Sequence, residues 1–157
     1  MDTVRHLPYK DIETEVLVVG GGSAGVIASI AAAREGVDTW LVERYGFLGG
    51  TSTQVLDTFY GFYTPGSHPR KVVGGIPDEI VAALERHNAM LIRPNTYGAG
   101  NGITYNPDIL KIVWESVATQ AGVRILFHAL AVDVETHHGR VASVILASKS
   151  GYLRIHP

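Results

Sequence analysis

The pattern of apolar and polar positions in the first third of the chain predicts a βαβ unit. Val16–Val19 is a short, fully apolar run rich in β-branched residues, typical of a strand in the buried centre of a parallel sheet. A glycine-rich turn follows, and residues 23–35 predict a helix of small residues that stops at Gly36. Residues 37–43 predict a second strand, so the order is strand, tight turn, helix, strand.

The pattern changes in the remaining two thirds. Helices are predicted over 75–89, where Pro77 lies in the first turn, and over 106–122, where Asn106 is the cap. Loops are predicted at 45–75 and 97–102, and strands at 123–127, 131–136, 141–147 and 152–155. The last three strands are separated by hairpin-type turns and so form a meander.

These elements together predict an α/β fold. It consists of a Rossmann-like βαβ domain with a parallel sheet plus a small antiparallel β-meander. Residues 1–157 are interpreted as a single domain, with a long loop and helix insertion at 45–105.

Composition narrows the classes of function. The chain has 157 residues, 46% of them hydrophobic, no cysteine and a net charge of −2. The absence of cysteine excludes thiolate catalysis and Cys-ligated metals, and the charge disfavours nucleic acid or an anionic membrane as a partner. Residues 16–33 are uncharged for 18 positions, but three glycines interrupt them, so we expect two elements and no membrane span. A cytoplasmic location is predicted.

The glycine turn has the spacing of a phosphate-binding loop. Gly20, Gly22 and Gly25 form G-x-G-x-x-G between a predicted strand and a predicted helix, which is the context this motif needs. The motif predicts a tight turn at the first glycine, close approach of a pyrophosphate at the second and close helix packing at the third. Backbone amides from Ser23 to Gly25 would then face the anion.

Glu43 supports the same interpretation. It ends the second predicted strand 23 positions after Gly20, where a carboxylate can accept hydrogen bonds from an adenosine ribose and would repel a 2′-phosphate. The alternative is that the glycines only tighten a turn in an ordinary α/β domain. A hydrolase is a further alternative, because Ser23 also fits G-x-S-x-G.

Other polar residues are weaker candidates. His137 and His138 are adjacent at a predicted hairpin tip, where we expect their side chains to diverge, and no metal site is predicted. Asp57 is a conceivable acid–base group in the 45–75 loop. His68 and Arg70 in the same loop would suit an anionic substrate.

A second glycine pair bears on the choice between NAD and FAD. Gly49 and Gly50 are followed by three hydroxyl residues, and a second loop of bare backbone suits a larger ligand across the sheet edge. An ordinary glycine turn with solvated threonines remains the alternative interpretation.

Five stretches resemble a known family in the same order as they occur here. They are VLVVGGGSAGVIASIAAAREG, LVERYGFLGGT, GGIPDEIV, YNPDILKIVWESVATQAGVRILFHALAVDV and GRVASVILASKSG. Together they resemble the FAD-dependent oxidoreductases of the glutathione-reductase-like flavoprotein superfamily, in the branch related to the fumarate reductase flavoproteins. The resemblance covers nearly the whole chain.

The resemblance implies a bound FAD and a set of contacts for it. Gly20, Gly22, Ser23, Ala24 and Gly25 would contact the pyrophosphate, and Glu43 and Arg44 the ribose and adenine side. Gly49, Gly50 and Thr51 would line the pyrophosphate and ribityl region. Backbone atoms of Leu130 or Ala131 would contact the adenine. Such proteins continue with a strand that closes over the flavin and a substrate domain. The resemblance therefore implies that this chain is an N-terminal portion, a single, partial FAD- or dinucleotide-binding domain that is incomplete at its C-terminal side.

The resulting hypothesis is an FAD-dependent oxidoreductase in which this chain supplies the ADP-binding core. Hydride transfer through the flavin, to or from an unidentified small-molecule substrate, would belong to the full-length protein, whose homo-oligomeric state stays open. The fragment alone is expected to be inactive and prone to aggregate. The alternatives are a non-enzymatic FAD- or NAD-binding module and a fragment of an NAD-dependent dehydrogenase.

Overall fold

The computed structural model of the protein describes residues 8–55, 58–93 and 102–157. Its strands are β1 (Tyr9–Glu13), β2 (Val16–Val19), β3 (Thr39–Val42), β4 (Phe59–Tyr60), β5 (Met90–Arg93), β6 (Gly102–Tyr105), β7 (Arg124–Leu126), β8 (Ala129–His137), β9 (Arg140–Ser148) and β10 (Gly151–His156). Its helices are α1 (Ser23–Arg34), α2 (Thr51–Gln54), α3 (Ile76–Arg86) and α4 (Pro107–Gln120).

The predicted βαβ unit is present. Strands β2, β3 and β7 form a parallel sheet in that order, and α1 connects β2 to β3. Helix α1 ends just before Gly36, whose φ of +85° is a conformation that glycine adopts readily. Helix α4 is capped by Asn106, whose Oδ1 accepts hydrogen bonds from the amides of Asp108 and Ile109. These features confirm the α/β class and position the glycine turn at the carboxyl end of β2.

Helices α1, α3 and α4 share one core with the parallel sheet: α1 packs on β2 and β3, and α4 packs against α1 and α3. This core is built from the apolar faces of the three helices, from β3 and from the loop after it. Its fully or nearly fully buried members include Val26, Ile30, Leu41, Leu48, Ile80, Leu84, Leu110, Val113, Trp114 and Ala118. Leu48 thereby anchors the second glycine loop directly to the core.

The meander forms a second layer. Strands β8, β9 and β10 pair antiparallel, and β1 adds to β10 in parallel, so the sheet order is β1-β10-β9-β8. The turn between β8 and β9 uses two residues with positive φ, His138 at +51° and Gly139 at +75°, as a tight hairpin requires. A smaller core between this sheet and β3 is formed by Val42, Ala129, Val144, Leu146 and Ile155.

A small antiparallel sheet lies within the segment predicted as an insertion. Its order is β4-β6-β5, and Tyr105 at the end of β6 is buried in the main core. The 45–75 segment is therefore not entirely a loop, since it contains α2 and β4. Of the loop predicted at 97–102, only Gly102 belongs to the described residues, and it begins β6.

Two interpretations of local environment were wrong. β2 is not buried on all sides: of the strands that the structure describes only β3 pairs with it, and Val19 is 53% exposed. The rings of His137 and His138 do not diverge, because the left-handed backbone at His138 turns its ring edge-on to its neighbour, with centroids 4.1 Å apart. Both side chains are exposed.

Candidate functional site

Two positions of the glycine turn favour glycine, Gly20 because of its backbone conformation and Gly25 because a side chain has no room. Gly20 follows β2 with φ +100°, and its amide donates to the carbonyl oxygen of Val42 at 2.9 Å. A Cβ atom on Gly25 would lie 1.9 Å from the carbonyl oxygen of Gly20. The first turn of α1 is therefore pressed against the turn that precedes it, which is the close packing expected of the third glycine in this motif.

Gly22 is different, because no described residue requires it to be glycine. Its φ of −69° and ψ of 173° are open to any residue, and a Cβ atom there would meet no atom of the described residues within 4 Å. It caps α1, whose first-turn amides have no intrahelical acceptors. In the described residues, the amides of Ser23, Ala24 and Gly25 have no hydrogen-bond acceptor. The open side of Gly22 thus leaves room for an anion in front of free donors.

The second glycine loop lies directly beside the first. The amide of Gly49 donates to the carbonyl oxygen of Gly21 at 2.8 Å, and Gly22 and Gly49 form a parallel bridge. A Cβ atom on Gly50 would lie 3.0 Å from the Cα of Gly22. The two glycine loops, which the sequence predicted separately, therefore form one continuous backbone surface. Thr51, the first residue of α2, is exposed beside it.

Glu43 connects the glycine turn to the chain that follows β3. Its side chain is 7% exposed, and its Oε2 accepts a hydrogen bond from the amide of Gly21 at 2.6 Å. Its Oε1 accepts one from the amide of Tyr45 at 2.9 Å. Each carboxylate oxygen keeps a further lone pair, so the group can still accept hydrogen bonds from the hydroxyls of a ribose.

A cavity of about 330 Å³ opens between these parts. It is lined by Glu43, Arg44, Tyr45, Gly50, Thr51, Gln54 and Val55. The guanidinium of Arg44 stacks over the ring of Tyr45, 4.6 Å from its centroid, and so forms one wall. A larger cavity of about 690 Å³ lies in the groove between α1, α3 and α4, but neither glycine loop lines it. We take the smaller cavity as the candidate site because the buried Glu43 and Gly50 of the second glycine loop line it. The first glycine turn adjoins it where Gly50 approaches Gly22.

The start of β8 passes next to the same loop. The amide of Ala129 donates to the carbonyl oxygen of Glu43 at 3.0 Å, and that of His128 donates to Tyr45 at 3.2 Å. Because successive residues of a strand direct their backbone groups to opposite sides, Leu130 is expected to face β9 and Ala131 the unpaired edge. Of the two residues considered for an adenine contact, Ala131 is therefore the one with a free backbone.

Sequence reasoning missed several residues of this site. Gly21 occupies an unspecified position of the glycine motif, yet its amide binds Glu43 and its missing Cβ makes room for Leu48. Ser52 is buried and its Oγ lies 2.9 Å from that of Ser23. No local sequence pattern predicts these roles, because each depends on a contact between segments more than 20 residues apart. Tyr45, Gln54 and Val55 were also missed as lining residues.

The weaker candidates do not join this site. His68 and Arg70 are exposed in a turn where the amide of Arg70 donates to Thr64 Oγ1, and neither lines the cavity. Asp57 lies outside the described residues. Within the part of the chain that the structure describes, no three metal-ligating side chains cluster. Nor does any helix there combine the length and apolarity that crossing a membrane would take.

Known proteins share both the sequence pattern and the fold. The chain is 25% identical over 126 residues to 4-oxocyclohex-2-ene-1-carboxylate 5-dehydrogenase of Sinomonas cyclohexanicum, covering 80% of this chain and 20% of that protein. It superposes on a flavocytochrome c3 fumarate reductase with a TM-score of 0.62 at 21% identity, covering 92% of this chain and 32% of the other. The glycerol-3-phosphate dehydrogenase of Bacillus halodurans, solved with FAD, gives a TM-score of 0.58 at 17% identity, with 92% and 32% covered.

These likenesses agree with the site. The chain spans a fifth or less of the length of the curated relatives that it matches. The residues present fit an FAD, because a bare backbone surface with free amides lies beside a buried carboxylate. A model of the family described as FAD dependent oxidoreductase matches residues 15–156, which is nearly the whole chain. The chain therefore belongs to the FAD-dependent oxidoreductase family, whose cofactor is FAD.

Proposed function

We propose that this chain binds the ADP half of FAD between the two glycine loops and so supplies the cofactor-binding core of an oxidoreductase. The observation that carries the proposal is the open side of Gly22, which faces amides that lack acceptors. A diphosphate has the charge and the acceptor oxygens that such a helix N-terminus stabilises.

Each part of the site has a proposed role. Gly20 and Gly25 shape the turn, while Gly22, Ser23 and Ala24 present the backbone to the pyrophosphate. Gly49, Gly50 and Thr51 extend that surface toward the ribityl chain.

The adenosine side is proposed to lie toward β3 and β8. Glu43 accepts hydrogen bonds from the ribose, and Arg44 borders the adenine side of the cavity. Ala131 is favoured over Leu130 for a backbone contact with the adenine, because its backbone faces the unpaired edge of β8.

The activity proposed for the whole protein is hydride transfer to or from a small-molecule substrate, with FAD supplying the redox chemistry. This chain binds and orients the cofactor at the carboxyl ends of its parallel strands, where ligands of open α/β sheets bind. The substrate domain and a cytoplasmic location remain predictions for the whole protein, and whether it forms a homo-oligomer stays open.

Competition between nucleotides tests the proposal. FAD is titrated into the purified protein and then displaced by ADP, NAD or NADP. We expect ADP to compete, FAD to bind more tightly than ADP, and NAD to compete no better than ADP, because its nicotinamide half gains nothing here. Tighter binding of NAD than of FAD would instead favour an NAD-dependent dehydrogenase. Binding of FAD by a full-length protein that never reduces or oxidises it would favour the non-enzymatic module.

A further inference from the structure

Two serine hydroxyls link the glycine loops at the proposed phosphate site. Ser23 is the first residue of α1 and half-buried, whereas Ser52 is the second residue of α2 and only 8% exposed. Their Oγ atoms lie 2.9 Å apart, a normal hydrogen-bond distance in which either atom can donate.

The backbone holds this pair in place. The hydrogen bond from Gly49 to Gly21 and the contact of Gly50 with Gly22 lie just before the two serines. The amide of Ser52 donates to the carbonyl oxygen of Gly49 at 3.1 Å, which orients the start of α2. Ser52 is too buried to reach a ligand easily, whereas Ser23 lies in the turn whose amides are free.

The direction of the bond decides what Ser23 can do. A hydroxyl has one proton and two lone pairs, and phosphate oxygens at neutral pH mainly accept hydrogen bonds. If Ser23 donates to Ser52, it has no proton left for the phosphate. If Ser52 donates to Ser23, the Ser23 proton is free to donate to a phosphate oxygen.

We propose that Ser52 is a positioning residue that donates to Ser23 and thereby directs the Ser23 proton toward the pyrophosphate. This role rests on the proposed function, because it needs a diphosphate in front of Gly22. A purely structural role would differ: Ser52 would then hold the two loops together and affect every ligand of the cavity alike.

A double-mutant cycle with two ligands distinguishes these roles. The affinities for ADP and for adenosine are measured calorimetrically in wild type, Ser23→Ala, Ser52→Ala and the double variant. Adenosine shares the ribose and adenine contacts but lacks the diphosphate. The matched control is Ser29→Ala, which removes a buried serine hydroxyl from the same helix, where it donates only to the carbonyl oxygen of Val26.

The expected result is a loss in ADP affinity of about 3- to 10-fold in Ser52→Ala, the range of one hydrogen bond. Adenosine affinity should stay unchanged, Ser29→Ala should bind ADP like wild type, and Ser52→Ala should have no further effect in the Ser23→Ala background. Unchanged ADP affinity in Ser52→Ala, or equal losses for adenosine and ADP, would overturn the positioning role alone. A wild-type protein that does not bind ADP would overturn the proposed function and this role with it.

Discussion

At the scale of single residues, Gly25 and Gly22 show that two positions of one motif are glycine for different reasons. Gly25 has no room for a side chain, whereas the open side of Gly22 is proposed to face the ligand. A Cβ atom on Gly25 meets a backbone oxygen at 1.9 Å, which neither partner can easily avoid. We therefore expect Gly25→Ala to lower the free energy of unfolding by about 2 kcal/mol or more, as overpacking of a close contact does. Urea denaturation followed by circular dichroism measures this. Wild-type stability in Gly25→Ala would show that the contact is not close in solution.

Glu43 has two roles in this account: its carboxylate accepts hydrogen bonds from two backbone amides, and it is proposed to accept hydrogen bonds from the ribose. In Glu43→Gln one of the two amides, that of Gly21 or of Tyr45, would face an NH₂ group instead of an acceptor. An unsatisfied buried donor costs about 1–3 kcal/mol, so stability should fall by that amount. Affinity for adenosine and for ADP should fall by equal factors, because the two ligands share the ribose.

The control for Glu43→Gln is Glu35→Gln, which neutralises an exposed carboxylate just beyond α1. It should leave both affinities unchanged. A Glu43→Gln protein that binds adenosine as wild type does would place the ribose elsewhere.

The sequence predicted the residues of the motif but not the residues that they contact. Glycine spacing and the acidic residue after β3 are local signals, and the structure brings Gly20, Gly22, Gly25 and Glu43 together at one turn. Gly21 and Ser52 were missed because their roles arise from contacts across 22 and 29 positions.

At the scale of elements, α1 and α3 are joined by an ion pair that should make stability depend on pH. Arg34 donates two hydrogen bonds of 2.7 Å to the carboxylate of Glu79. The hydrogen bond from Arg34 holds the pKa of Glu79 below its usual range. A group with a lowered pKa in the folded state stabilises the fold above its unfolded pKa and loses that contribution as the pH falls.

We expect Glu79→Gln to lower the free energy of unfolding at pH 7 by no more than about 1 kcal/mol, because both side chains are largely exposed. The difference from wild type should shrink as the pH falls below about 4, the range in which an ordinary glutamate is protonated. Thermal unfolding at pH 7 and pH 3 measures it. The control is Glu85→Gln on the same helix. A loss of unfolding free energy in Glu79→Gln that is equal at pH 7 and at pH 3 would contradict the ion-pair account.

Elements were predicted best where local signals agree. Helices α1, α3 and α4 have caps, prolines or terminal glycines that define their ends within one to three residues. Strands β1, β4, β5 and β6 were missed, because β1 pairs with β10 more than 140 positions away, β4 has only two residues, and β5 and β6 have four residues each. Short strands are stabilised by partners that a local pattern does not contain.

At the scale of the whole molecule, two layers meet along β3 and its continuation. Val42 belongs to the smaller core under the meander, while Leu41 on the opposite side of the strand belongs to the core under the helices. Glu43 follows immediately, bonded through its backbone to Leu126 and Ala129. The site therefore lies where both layers position the same strand end.

The binding of FAD in front of Gly22 is the central claim, and an equilibrium titration of FAD with wild type and Gly22→Val tests it most directly. Gly22 has ordinary dihedral angles, and a Cβ atom on it would meet no atom of the described residues within 4 Å, so valine should leave the fold intact. Ala28→Val, exposed on the same helix, is the control. We predict that Gly22→Val loses about 100-fold or more in affinity, as expected for two lost hydrogen bonds to a charged group. A folded Gly22→Val protein that binds FAD as tightly as Ala28→Val would contradict the account.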